Sequence, residues 1–137
     1  MSRAPFSWPV RVYYEDTDAA GIVYHANYLR FMERGRTEWL RSLGFEQGQV
    51  RAEEGVVFVI TRADVAYLSA ARFDQELVVV STLERVRRAS MTFDQRIEDK
   101  TGRTVCRATN TIACVEAASL VPRRIPAHMM KVLDRAQ

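Results

Sequence analysis

After residue 55 the hydrophobic pattern of this chain changes period, and that change limits what it can fold into. Four long runs, residues 56–68, 76–86, 89–99 and 103–116, are β-branched or alternate with period two and read as strands. They follow one long helical pattern, from about Tyr24 or Asn27 to Leu43, closed by Gly44. On that helix Tyr28, Phe31, Met32, Gly35, Trp39 and Leu43 share a face, with Arg30, Arg34, Thr37 and Arg41 opposite. Residues 10–15 read as a first strand, and the polar, glycine-containing residues 46–55 as a connection. One helix cannot cover five strands unless the sheet curls around it. The expected fold class is therefore α+β, a curled antiparallel five-stranded sheet wrapped around a long central helix.

Details of the pattern sharpen this expectation. Gly35 in the middle of the apolar face costs roughly 1 kcal/mol against Ala, which makes sense if it permits close approach to the sheet. In the third run Met91, Phe93 and Ile97 alternate with Ser90, Thr92, Asp94, Arg96 and Glu98, so one face is covered. Asp99-Lys100-Thr101-Gly102 reads as the turn into the last strand. Pro122 and Pro126 end the sheet region, and residues 127–136 read as a short terminal helix. The open edges of such a sheet can be closed by pairing with a second copy.

Length and composition exclude several classes. At 137 residues and 47% hydrophobic, the chain suits one domain, residues 1–137, with a genuine core. Twenty Lys+Arg against 17 Asp+Glu give a net charge of +3, too mild for a nucleic-acid-binding signature. The opening residues lack an apolar signal core, and no run reaches membrane-spanning length, so a soluble, cytoplasmic protein is expected. Cys106 and Cys114 share a strand, out of disulfide reach, and with Ala108 and Ile112 read as buried structural residues. His25 and His128 stand in no ligand-spaced cluster with them, so no metal is expected. No Gly-x-Ser-x-Gly elbow and no glycine-rich phosphate loop appears.

What remains is carboxylate chemistry at a helix terminus. Tyr14-Glu15-Asp16-Thr17-Asp18-Ala19-Ala20-Gly21-Ile22-Val23-Tyr24-His25-Ala26-Asn27-Tyr28 joins a carboxylate-rich segment to the start of the long helix. A helix N-terminus supplies unpaired N–H donors and partial positive charge, which can hold an oxyanion, while a nearby Asp acts as base or nucleophile. That arrangement suits acyl transfer. On its own, Asp18 reads first as a loop-turn or helix-capping residue.

This segment, with Phe31, Glu33, Arg36 and Thr37, resembles the active-site segment of the 4-hydroxybenzoyl-CoA thioesterase family of hotdog-fold proteins. Its Tyr-Tyr-Glu-Asp-Thr-Asp opening and Tyr24-His25 are most similar to the Tol-Pal-associated acyl-CoA thioesterases (YbgC-like). Phe93 to Arg96 and Pro122 to Pro126 extend the likeness. The resemblance implies hydrolysis of an acyl-CoA thioester, with Asp18 as the catalytic carboxylate and the His25 amide as oxyanion donor, helped by the turn through Gly21 and Tyr24. Asp16 is expected to brace the loop. The His25 side chain is a polar group in the pocket or inert beside its backbone role, Tyr14 and Tyr24 are pocket walls or participants, and Glu33 and Glu38 are expected to be helix-surface or interface charges.

No cofactor is implied, since coenzyme A is part of the substrate. Its phosphates need cations, and the resemblance points to the strand turn holding Arg87, Arg88 and Ser90, with Arg123 and Arg124 as weaker candidates and a solvated charge run as the alternative. Tyr28, Phe58, Val59, Tyr67 and Met91 read as acyl-pocket lining or core. Expected partners are the acyl-CoA substrate, a second copy in a dimer or tetramer with sites between subunits, and an acyl carrier protein, with no nucleic acid. The alternative function is a non-catalytic acyl-CoA or acyl-carrier-protein-binding module linked to envelope lipid handling. A hotdog dehydratase acting on 3-hydroxyacyl thioesters ranks third.

Overall fold

The computed structural model describes residues 4–137; Met1 to Arg3, the first part of the polar opening segment, lie outside the described residues. Strand β1 (Phe6–Arg11) leads through a 3-10 turn (Tyr14–Asp16) to helix α1 (Asn27–Ser42) and a short helix α2 (Gln47–Glu54). Strands β2 (Val56–Tyr67), β3 (Glu76–Val86), β4 (Ser90–Glu98) and β5 (Thr104–Glu116) follow, and helix α3 (Ala127–Ala136) ends the chain. The strands form one antiparallel sheet in the order β1-β3-β4-β5-β2. Helix α1 lies against β1, β3 and β4.

The first strand is displaced from its expected residues 10–15. Pairing runs from Phe6 opposite Ser81 to Arg11 opposite Glu76, through Pro9 opposite Val78. Proline cannot donate to a ladder, which argues against a strand in the sequence but is tolerated here because β1 is a sheet edge. The expected connection over residues 46–55 contains α2. That helix buries only Val50, so no apolar stripe announces it, and Gly55 ends it at φ +71°.

Tyr28, Phe31, Met32, Gly35 and Trp39 of α1 are buried as the periodicity requires, and Leu40 joins them. The helix stops at Gly44, φ +97°, whose N–H bonds the Arg41 carbonyl while the Phe45 N–H returns to that of Leu40. The first half of α1 packs with Val10, Val12, Leu77, Val79 and Ile97. Its second half packs with Leu83, Met91, Phe93, Ile112 and the α3 residues Met129 and Leu133. Ser81, Gln95 and Asn110, all fully buried, form a polar layer. Gln95 ties it together by donating to the Met32 carbonyl and Ser81 Oγ and accepting from Arg36 and Asn110, while Asn110 Oδ1 is left without a partner among the described residues.

Gly35 sits where helix and sheet come closest. A Cβ there would stand 2.7 Å from Val79 Cγ1 and 3.2 Å from Ser81 Oγ. Val79 is stiff and fully buried, so it cannot yield cheaply. Gly35→Ala is expected to lose about 1 kcal/mol net, overpacking outweighing the gain in helix propensity. Thermal unfolding checks this; a raised Tm would mean the approach tolerates a methyl.

Candidate active site

Residues 17–26 form a compact loop docked between the sheet and the start of α1. Asp18 N–H bonds the Ile22 carbonyl at 3.0 Å, and Gly21 N–H returns to the Asp18 carbonyl at 2.9 Å. The turn needs Gly21 in the left-handed region, φ +79°. Val23 N–H reaches the Ala71 carbonyl at 2.8 Å, and Ile22 bridges to Arg72, which anchors the loop to the segment before β3.

Asp16 ties this loop to the helix. Its buried carboxylate accepts from Tyr13 N–H and from Asn27 Nδ2, both at 2.8 Å, and its carbonyl accepts from Tyr24 N–H at 2.8 Å. Asn27 is the first residue of α1, so one side chain sets the position of loop and helix start together.

Asp18 is free for other work. Its Oδ1 accepts from Ala20 N–H at 2.9 Å, an Asx turn, and among the described residues no donor meets Oδ2. Burial pushes the Tyr28 phenol up in pKa, against the lowering hydrogen bond from Ala71 N–H, and the Asp18 charge is a small further upward push. The α1 N-terminus has no side-chain cap and no acidic residue in its first turn, so no side-chain charge offsets its positive end, although the Asn27 N–H is taken by the Tyr24 carbonyl at 2.8 Å. Among the described residues nothing accepts from the His25 N–H. A carboxylate oxygen and an open N–H thus flank the same loop.

Beside them lies a cleft of about 300 Å³ lined by Ile22, Val23, His25, Tyr28, Tyr67, Leu68, Ser69 and Ala70. The His25 ring packs 4.5 Å from that of Tyr24. Tyr28 and Tyr67 line this cleft, whereas Phe58 and Met91 face a separate narrow slot beside Arg36 and Gln47. Tyr14 is outside the cleft: it is 82% exposed and its ring leans on Phe73.

The expected cationic residues divide. Arg88 lines a hollow of about 720 Å³ together with Arg123, Arg124 and Lys131, four cations against the two carboxylates Glu54 and Asp134, over Ile125, Pro126 and Met130. The Ile125 N–H bonds the Arg88 carbonyl at 2.9 Å, which draws the two segments together. Arg87 and Ser90 do not line it; Arg87 N–H closes the β3–β4 turn on the Ser90 carbonyl. Lys131 was missed in the sequence, where only its place in the short α3 pattern signals it. Among the described residues no group of three or more His, Cys, Asp or Glu side chains is clustered for a metal, and no helix is long and apolar enough to cross a membrane.

A family model described as the thioesterase-like superfamily matches residues 12–133, which takes in the loop, the cleft and the cationic hollow. The chain belongs to that superfamily. This thioesterase-family chain is 44% identical over 121 residues to an acyl-CoA thioesterase YbgC of Haemophilus influenzae, covering 88% of each. It is 42% identical over 126 residues to an acyl-CoA thioester hydrolase YbgC of Escherichia coli, covering 92% of this chain and 93% of the relative. A solved 4-hydroxybenzoyl-CoA thioesterase mutant, complexed with 4-hydroxybenzoyl-CoA, superposes with a TM-score of 0.83 at 21% identity, over 93% and 97% of the two chains. The shared fold is the hotdog expected above, and the chain is an enzyme of the thioesterase class.

Proposed function

We propose that this chain hydrolyses an acyl-CoA thioester to a free carboxylic acid and coenzyme A. The observation that carries the reading is the pairing of the unpartnered Asp18 Oδ2 with the uncapped start of α1 and its open His25 N–H. The names of the YbgC relatives support it. Asp18 either takes a proton from a water that adds to the thioester carbon, or adds to that carbon itself to give an anhydride that water opens. In both routes the carbonyl becomes an oxyanion stabilised by the His25 N–H and the helix dipole. The C–S bond then breaks, the carbonyl re-forms, and coenzyme A leaves as a thiolate that is protonated.

The hollow at Arg88, Arg123, Arg124 and Lys131 is the place we assign to the coenzyme A phosphates, which guanidinium groups bind with two parallel bonds. The two sheet edges differ in a way that favours a dimer. β1 is six residues long and carries Pro9, whereas β2 runs for 12 residues without proline and leaves Ile60 and Tyr67 about half exposed. Pairing of β2 with its copy would continue the sheet and close each site between subunits.

The test is free-thiol release from short, long and aromatic acyl-CoAs. Turnover of at least one is expected; binding without release would replace this reading with that of a non-catalytic module. In the same assay, Arg88→Ala combined with Arg123→Ala is expected to raise KM for acyl-CoA about tenfold, the equivalent of one charge-assisted contact. KM for the matching acyl-pantetheine, which lacks the nucleotide, should not move. An equal rise for both would sink the phosphate assignment alone.

A further inference from the structure

At the end of β2 the Tyr67 hydroxyl donates to the carbonyl oxygen of His25 at 3.1 Å, joining residues 42 apart in sequence. Among the described residues no other group donates to that carbonyl. The Tyr67 ring stands edge-on to the His25 imidazole, centroids 6.2 Å apart, and is tilted against Tyr28 at 5.9 Å. Tyr28 is itself fixed, its hydroxyl accepting from Ala71 N–H. A chain of contacts therefore runs from the sheet to the peptide just before the Ala26 cap of α1.

The electrostatics give this bond a purpose. The His25 carbonyl oxygen carries partial negative charge and belongs to the peptide that follows the His25 N–H assigned to a developing oxyanion. A peptide moves as a rigid plane. If the plane between His25 and Ala26 turned its oxygen toward the reacting carbonyl, attraction at the helix start would become repulsion. No helical or strand ladder holds that plane, because His25 lies before the first residue of α1. Burial pushes the Tyr67 phenol up from its ordinary value, so it remains a protonated donor through neutral pH.

We infer that Tyr67 is a positioning residue for the reaction: by holding the His25 carbonyl on the β2 side, it keeps the open N–H groups of His25 and Ala26, just before α1, aimed at the thioester oxygen. The inference rests on the hydrolase reading above. It distinguishes Tyr67 from the apolar walls of the cleft, Ile22, Val23 and Leu68, which act by shape.

Tyr67→Phe removes the hydroxyl and keeps the ring, at a position about half exposed, so the fold should survive. For the best acyl-CoA substrate, kcat is expected to fall roughly tenfold to a hundredfold, the scale of a misaimed catalytic group. KM, the Kd of a non-hydrolysable thioether analogue, and Tm should stay within about twofold or a few degrees, since only alignment has been lost. Tyr67→Leu, which also deletes the ring, should match that kcat loss and raise KM as well. An unchanged kcat in Tyr67→Phe, or a loss confined to KM, would overturn the inference and leave Tyr67 as a pocket wall. Absence of thiol release from the native chain would instead overturn the hydrolase reading, so the two failures are told apart.

Discussion

Asp18→Asn is expected to lower kcat by about 10²- to 10⁴-fold, the range for removing a positioned base. The fold and acyl-CoA binding should be unaffected. The amide has the size of the carboxylate, and its oxygen can still accept from Ala20 N–H, so the turn through Gly21 is preserved. What disappears is the anion at Oδ2, which either route to the thioester carbon requires. The comparison is made by steady-state thiol release, with the Kd of a thioether analogue and urea unfolding as controls. Activity within tenfold of the native chain would remove Asp18 from the reaction.

Asp16→Ala, two residues away, should act through the fold instead. Here the carboxylate is buried and fully used, by Tyr13 N–H and Asn27 Nδ2. Hydrogen bonds to a charged acceptor are worth about 1.5–3 kcal/mol each, so losing two is expected to cost roughly 3–6 kcal/mol. Because Asn27 opens α1, the loop and the helix start should lose their mutual register, and kcat should fall together with stability. Urea unfolding followed by activity measured well below the midpoint separates the two effects. A stability change under 1 kcal/mol would show that the loop is held mainly by its backbone bonds to Ala71 and Arg72.

The contrast between these neighbouring aspartates was partly legible in the sequence. The motif drew attention to Asp18 through family resemblance, and the expectation that Asp16 braces the loop followed from a turn-forming residue next to a helix start. The geometry adds the means, since bracing runs through the Asn27 side chain as well as the backbone. Elements with strong local periodicity were read close to their true bounds: β3 and α3 coincide with the runs 76–86 and 127–136, and α1 ends at Gly44 as expected. Elements without it were not. β1 was misplaced because Pro9 masks an edge strand, and α2 was missed because eight residues with a single buried side chain carry no period.

The alternation of β4 foretold which residues face inward but not that Gln95 would be one of them. A glutamine at a core position is tolerable only when every polar atom is met, and its partners come from β3, β5 and α1. In the same way the arginines of the β3–β4 turn were visible as a charge run. That Arg88 alone meets Arg123, Arg124 and Lys131, while Arg87 and Ser90 do not, depends on the return of the chain from β5 to α3.

By itself the sequence determined the fold class, the long helix with its close-approach glycine, the four strands after residue 55, and the loop carrying Asp18 and His25. These follow from the partition of side chains between core and water and from turn chemistry, which act over a few residues and leave a period in one dimension. Only the tertiary structure decided that Tyr67 reaches the His25 carbonyl, that Tyr28 and Phe58 line different cavities, and that Tyr14 stands outside the cleft. Those facts depend on strand order and register, where partners tens of residues apart meet, and no local pattern encodes which of several equivalent side chains will arrive.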